Sequence, residues 1–236
     1  MGNEITVDRF VPPVGTAPDT PLPVGDMIAY GIMFDPRNAE RIRTMDFDAL
    51  LASIPRLFDL LDERGVEYVL VGGVAMRVHT AGRNTQDIDL IVPADALTRI
   101  PEIEVVDRND AFARGRYGFL QIDMLLADHA LFDLVRRRHA RRERFVEREI
   151  VCATVEGLLL LKLFALPSLY RQGRFSRVED YEHDVAVLLR EHRPDVEPIY
   201  AELARHLPAS DLAEIRAIVG DIQARIDAST TRFDRG

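Results

Sequence analysis

Hydrophobic and polar positions divide the chain at about residue 46. Residues 1 to 45 show no sustained period and carry eight prolines and glycines by Gly25, which predicts an extended arm. From Asp46, a candidate N-cap, Phe47, Leu50, Leu51, Ile54, Leu57, Phe58 and Leu61 recur at helical spacing as far as a glycine stop at Gly65. Tyr68 to Val71 is a short apolar run ending at Gly72-Gly73, and Val74 to His79 predicts a short helix. Gln86 to Val92 alternates with period two, so that Asp87, Asp89 and Ile91 face one way and Ile88, Leu90 and Val92 the other.

Beyond it the pattern predicts a helix over Ala94 to Ile100 and strands over Glu102 to Val106 and Tyr117 to Leu125, with Asp123 projecting opposite to Ile122 and Met124. Ala130 to His139 reads as a helix and Glu149 to Ala153 as a strand. Thr154 is placed to cap a helix through Leu166, which Pro167 is expected to end or kink. Ser176-Arg177-Val178-Glu179 has the form of a capping box ahead of a helix with Val178, Tyr181, Val185, Leu188 and Leu189 on one face. Two more helices are expected around 195 to 206 and 210 to 228. These elements predict an α/β (α+β) fold: a small mixed sheet with flanking helices over 46 to 153, and a helical C-terminal region over 154 to 236.

Composition adds little to the fold and more to the setting. Of 236 residues, 47% are apolar and 29% charged, the balance of a soluble globular chain. Cys152 is the only cysteine, which excludes an intrachain disulfide and a cysteine zinc cluster and points to a reducing compartment. The start of the chain lacks a basic segment followed by an apolar run, and the longest apolar stretch, Leu158 to Leu166, is interrupted by Lys162. Neither a signal peptide nor a membrane span is expected, and the cytoplasm is the natural location.

The formal net charge of -9 argues against a protein that coats nucleic acid nonspecifically. Arg136, Arg137, Arg138, Arg141, Arg142, Arg144 and Arg148 nevertheless form a basic stripe, and Arg171, Arg174 and Arg177 follow the Lys162 helix. Such a stripe is either a solvated surface or a footprint for RNA or another polyanion.

The chemistry concentrates in Tyr68 to Pro93, YVLVGGVAMRVHTAGRNTQDIDLIVP. A glycine pair at a strand end brings backbone N–H groups close to a phosphate. Asp87 and Asp89, two apart on a strand, present carboxylates on one side, where they repel unless a cation compensates. Magnesium suits hard oxygen ligands and substrate phosphates, and Asp123 on a neighbouring strand would complete the site. An ammonium at Lys162 within an apolar helix either snorkels or meets an anion such as a triphosphate. Asp184 flanks the apolar face of the next helix, where it orients Lys162 or the nucleotide, or makes a surface ion pair. Arg83 and Thr85 are candidates for phosphate contact or for local loop hydrogen bonds. His79 fits a packed, hydrogen-bonded histidine better than a catalyst.

A Gly-Gly turn, a short helix, an Asp-x-Asp strand and a later strand Asp resemble the nucleotidyltransferase superfamily of DNA polymerase beta. GGVAMRVHTAGRNTQDIDLIV is similar, more narrowly, to the AbiEii and MenT nucleotidyltransferase toxins of type IV systems, through Gly72, Gly73, His79, Arg83, Thr85, Asp87 and Asp89. Lys162 and Asp184 match that group's later lysine and aspartate. Its Lys-Asp-x-x-Asp is replaced here by Glu179-Asp180-Tyr181-Glu182-His183-Asp184, a departure that bears on Asp180. The resemblance covers about residues 46 to 191. It implies two Mg2+ ions at Asp87, Asp89 and Asp123, an NTP held with the help of Gly72, Gly73, Arg83, Thr85 and Lys162, and transfer to an acceptor hydroxyl.

The implied acceptor is the 3′ end of tRNA, with Arg137, Arg138, Arg141, Arg142, Arg171 and Arg174 as its candidate contacts and a cognate antitoxin as a partner. An aminoglycoside- or lincosamide-like acceptor, and a non-catalytic nucleotide-binding module, are the alternatives. A basic cleft favours RNA, and further acidic patches favour a cationic drug.

Overall fold

The computed structural model describes residues 23–80, 85–146 and 148–233. Arg83 lies outside them, as do residues 1–22 of the expected arm. Seven strands, β1 (Val69–Val71), β2 (Asp87–Val92), β3 (Glu104–Arg108), β4 (Phe112–Tyr117), β5 (Leu120–Leu126), β6 (Ala140–Arg144) and β7 (Glu149–Ala153), form one mixed sheet in the order β3-β4-β5-β2-β1-β7-β6. β2 and β5 run parallel at its centre, and β1 pairs antiparallel with β2 and parallel with β7. The fold is α/β, as the alternating pattern predicts.

Helix α3 (Phe47–Glu63) starts where expected: the Asp46 side chain accepts from the Ala49 N–H at 2.9 Å. It buries Leu50, Ile54, Leu57, Phe58 and Leu61 of the predicted apolar stripe and leaves Phe47 and Leu51 partly exposed. Helices α4 (Gly72–His79) and α6 (Ala130–Arg138) lie against β2, and the short α5 (Ala96–Arg99) links β2 to β3. The C-terminal part packs α7 (Val155–Arg171) on α8 (Phe175–His192), α9 (Glu197–Leu203) and α10 (Ala209–Phe233). Among the described residues, no helix is long and apolar enough to cross a membrane.

Four local expectations are corrected. The described part of the arm is not extended: Val24–Met33 is helix α1, and Ala39–Thr44 is α2. Val24, Met27, Ile28 and Ile32 of α1 join the core, and a Cβ on Gly31 would stand 1.8 Å from the Thr85 carbonyl oxygen. Gly31 is therefore a point of close approach rather than a breaker. Second, the run read as one strand over Tyr117 to Leu125 is a hairpin of β4 and β5, folded at Gly118-Phe119 with Tyr117 opposite Leu120.

Third, α7 does not stop at Pro167. The helix continues to Arg171 with Pro167 buried, because packing on α8 and α10 outweighs one lost backbone hydrogen bond. Fourth, Ser176 caps nothing. The Arg174 N–H donates to the Leu169 carbonyl and the Gly173 N–H to that of Tyr170, closing α7 in a Schellman turn. α8 consequently starts at Phe175, which puts Ser176 inside its first turn.

Candidate active site

Strand register assembles the acidic cluster. Asp89 lies opposite Asp123, and Asp87 opposite Gln121, across the parallel β2–β5 pair. On the far side of β5, Asp123 faces Arg114 and Gln121 faces Arg116 of β4. Directly opposed residues project on the same face. The site is thus two rows, Asp89-Asp123-Arg114 and Asp87-Gln121-Arg116. Ligand oxygens of Asp87, Asp89 and Asp123 lie within 4.8 Å of one another.

The loop and helix before β2 aim these carboxylates. Thr85, 5% exposed, donates from its hydroxyl to Asp87 Oδ1 at 3.0 Å. Gln86 is gripped from the N-terminal segment: its Oε1 accepts from Asn38 Nδ2 at 2.9 Å and its Nε2 donates to Asp35 Oδ2 at 2.6 Å. At Gly72, φ is +62°, and a Cβ there would stand 1.9 Å from Asp89 Oδ2. Only glycine lets the start of α4 come so close, with the Gly73 N–H donating to Asp89 Oδ2 at 3.4 Å.

Burial, with Asp87 and Asp123 beside it, holds the Asp89 carboxyl well above the usual carboxylate range, while Lys162 and the Gly73 amide pull the other way. Three converging carboxylates of this kind have the chemistry of a divalent-cation site with hard oxygen donors, which fits magnesium. Asp123 is neutralised by Arg114, whose Nε and Nη2 each donate to one of its oxygens at 2.7 Å. A cation at Asp123 therefore competes with Arg114.

Lys162 and Asp184 come together as a buried pair, 4% and 2% exposed, with Nζ donating to Oδ2 at 2.6 Å. The ammonium also lies 4.7 Å from the centre of the Tyr181 ring. Snorkelling and a surface ion pair, the plainer readings of these two residues, do not describe this geometry.

The predicted arginines of β6, Arg141, Arg142 and Arg144, stand away from the carboxylates. β6 is three strand spacings, roughly 14 Å, from β2. Arg137 pairs with Asp133, Arg141 with Glu143, and Arg148 with Asp59 and Asp62. Arg171 is tied to Asp211 at 2.9 Å, while Arg138, Arg142 and Arg174 are exposed. The arginines beside the carboxylates are instead Arg41, Arg114 and Arg116. For Arg114 and Arg116 the hairpin glycine was the signal: folding at Gly118-Phe119 sets Arg116 opposite Gln121 and Arg114 opposite Asp123.

His79 is structural. Its Nε2–H donates to the Ala153 carbonyl at 2.8 Å, and His192 donates to the His79 carbonyl at 2.7 Å. Burial pushes the His79 pKa down, so below about pH 6.5 the unfolded chain binds more protons than the folded one, and stability falls as pH drops. Urea midpoints should decline from pH 7.5 to 5.5, and less steeply in His79→Gln.

No protein-family model and no curated protein matches the chain. Among solved structures it is similar to an antigenic nucleotidyltransferase-like protein from Paracoccidioides brasiliensis, at 17% identity and TM-score 0.48 over 75% of this chain and 88% of that one. It is also similar to the antibiotic-resistance factor ANT(2″)-Ia. In the complex with adenylyl-2″-tobramycin the identity is 16% and the TM-score 0.45, over 75% of this chain and 97% of that one. In its solution structure the values are 15% and 0.44, over 78% and 97%.

Proposed function

We propose that the protein transfers a nucleotidyl group from an NTP to an acceptor hydroxyl in a magnesium-dependent reaction, with an RNA 3′ end, that of tRNA, as the acceptor. One observation carries the reading: the three-carboxylate cluster has two unlike flanks. On the β1 side stand the start of α4, with the Gly73 amide, and the Lys162 charge. On the β4 side stand Arg114 and Arg116. An in-line displacement needs such an arrangement, with leaving pyrophosphate and entering acceptor on opposite sides of the α-phosphorus.

Asp87, Asp89 and Asp123 would hold two Mg2+ ions, which would supply positive charge to the entering and leaving oxygens. Gly72, Gly73 and Lys162 hold the triphosphate, and Asp184 and Tyr181 fix the Lys162 head. Asp123, on the acceptor flank, takes the proton of the attacking hydroxyl. For that Arg114 must give up at least one of its carboxylate oxygens. Guanidinium groups on the acceptor flank favour an anionic acceptor over a cationic aminoglycoside. A non-catalytic module has no need of Asp123 and Lys162 in the cleft.

Purified protein with Mg2+, labelled NTPs and total tRNA should transfer label to RNA. Protein that binds NTP yet labels no RNA would sink the proposal. A toxin role with a cognate antitoxin rests on the AbiEii and MenT resemblance, and predicts growth arrest on induction that Asp87→Ala abolishes.

A further inference from the structure

Next to the acid site, a cavity of about 330 Å³ is bounded by Arg41, Arg116, Gly118, Phe119 and Gln121. Its floor is continuous with the carboxylate rows, because Gln121 Nε2 reaches Asp87 Oδ2 at 3.4 Å and Asp123 Oδ1 at 3.5 Å. Arg41 arrives from α2, anchored by its Nη2 donating to the Phe119 carbonyl at 3.1 Å. We propose that this cavity is a phosphate site for the acceptor strand, in which Arg41 and Arg116 grip a phosphodiester next to the terminal hydroxyl and the Phe119 ring stacks on the adjoining base.

Three observations converge on it. First, Arg41 and Arg116 line the same cavity, and neither forms an ion pair with a carboxylate among the described residues, unlike Arg114, which Asp123 occupies. Two like charges held beside a cavity repel, and an anion between them relieves that repulsion. Desolvation, and after it the charge of Arg116, push the Arg41 pKa down, while the nearby Asp87 carboxylate pulls the other way. Second, Phe119 is 42% exposed at the hairpin turn and lines the cavity, which leaves an aromatic side chain accessible for stacking. Third, sheet order puts β4 and β1 on opposite sides of β2 and β5. The cavity is therefore on the flank away from the glycine turn and Lys162. Assigning it to the acceptor rests on the function proposed above, whereas its affinity for a phosphodiester strand does not.

The test is binding of a fluorescein-labelled single-stranded RNA hexamer, and separately of Mg-ATP, to the full chain and to Arg41→Gln, Arg116→Gln and the double variant, each checked for an unchanged thermal midpoint. The double variant should lose about tenfold or more in RNA affinity, and its slope of log affinity against log salt should flatten by about 0.7, the share of one single-strand phosphate. Mg-ATP affinity should stay within about twofold, because the triphosphate lies on the other flank. Arg116→Lys should restore most of the loss, so a folding defect at Arg41 does not decide the outcome. Unchanged RNA binding, or a loss confined to Mg-ATP, overturns the site. Wild-type protein that binds RNA through these arginines but transfers no nucleotide refutes the proposed reaction and leaves the site standing.

Discussion

Asp89→Asn is expected to abolish nucleotidyl transfer, by about a thousandfold or more, roughly 4 kcal/mol of transition-state stabilisation, while leaving the metal-free protein as stable as wild type or more so. The two effects have one cause. Asp89 is desolvated and stands beside Asp87 and Asp123, so without a cation its charged form is disfavoured. Because its folded pKa is raised, the metal-free chain loses stability as pH rises above about 4 toward that folded value, and asparagine removes this loss. Wild type should gain thermal stability on addition of Mg2+ and the variant should not. A variant that unfolds in the absence of metal would show Asp89 to be a structural carboxylate. An active one, like an active Asp87→Ala enzyme, would refute the metal assignment.

The placement of the three carboxylates was legible because strand period decides it. Residues two apart on β2 share a face, and Asp123 stands out against Ile122 and Met124 on β5. What alternation cannot supply is the partner strand: β2 and β5 are parallel and separated in sequence by the β3–β4 hairpin, so Asp89 opposite Asp123 is a tertiary fact. The same limit hid α1. Its glycines and the prolines ahead of it read as an extended arm, yet Gly31 is small because Thr85 presses against it, and Thr85 is a residue more than fifty positions away.

Arginine density misled for a related reason. Clustering in sequence says nothing about which carboxylates fold back onto the cluster, and Glu67, Asp59, Asp62, Asp133 and Asp211 neutralise much of it. Arg114 and Arg116, sparse in a short strand, come opposite Asp123 and Gln121 because a two-residue turn fixes their register, and Arg114 so reaches the Asp123 carboxylate.

Lys162→Met is expected to cost about 3–5 kcal/mol of unfolding free energy, measured by urea, because it strands Asp184 as an uncompensated charge in a buried setting. The double variant Lys162→Met/Asp184→Leu should recover most of that loss, since a packed apolar pair often equals a buried ion pair in stability. Activity should not return with it. Besides its bond to Asp184, the Lys162 ammonium lies over the Tyr181 ring and its charge acts on Asp89, and the double variant replaces only the Asp184 pairing by apolar packing. If its role at Asp89 is to bring positive charge to the triphosphate, the double variant will be folded, weakened in NTP binding and inactive. If transfer survives in the double variant, Lys162 is only a strut between α7 and α8, and the phosphate-holding role passes to the amides of α4.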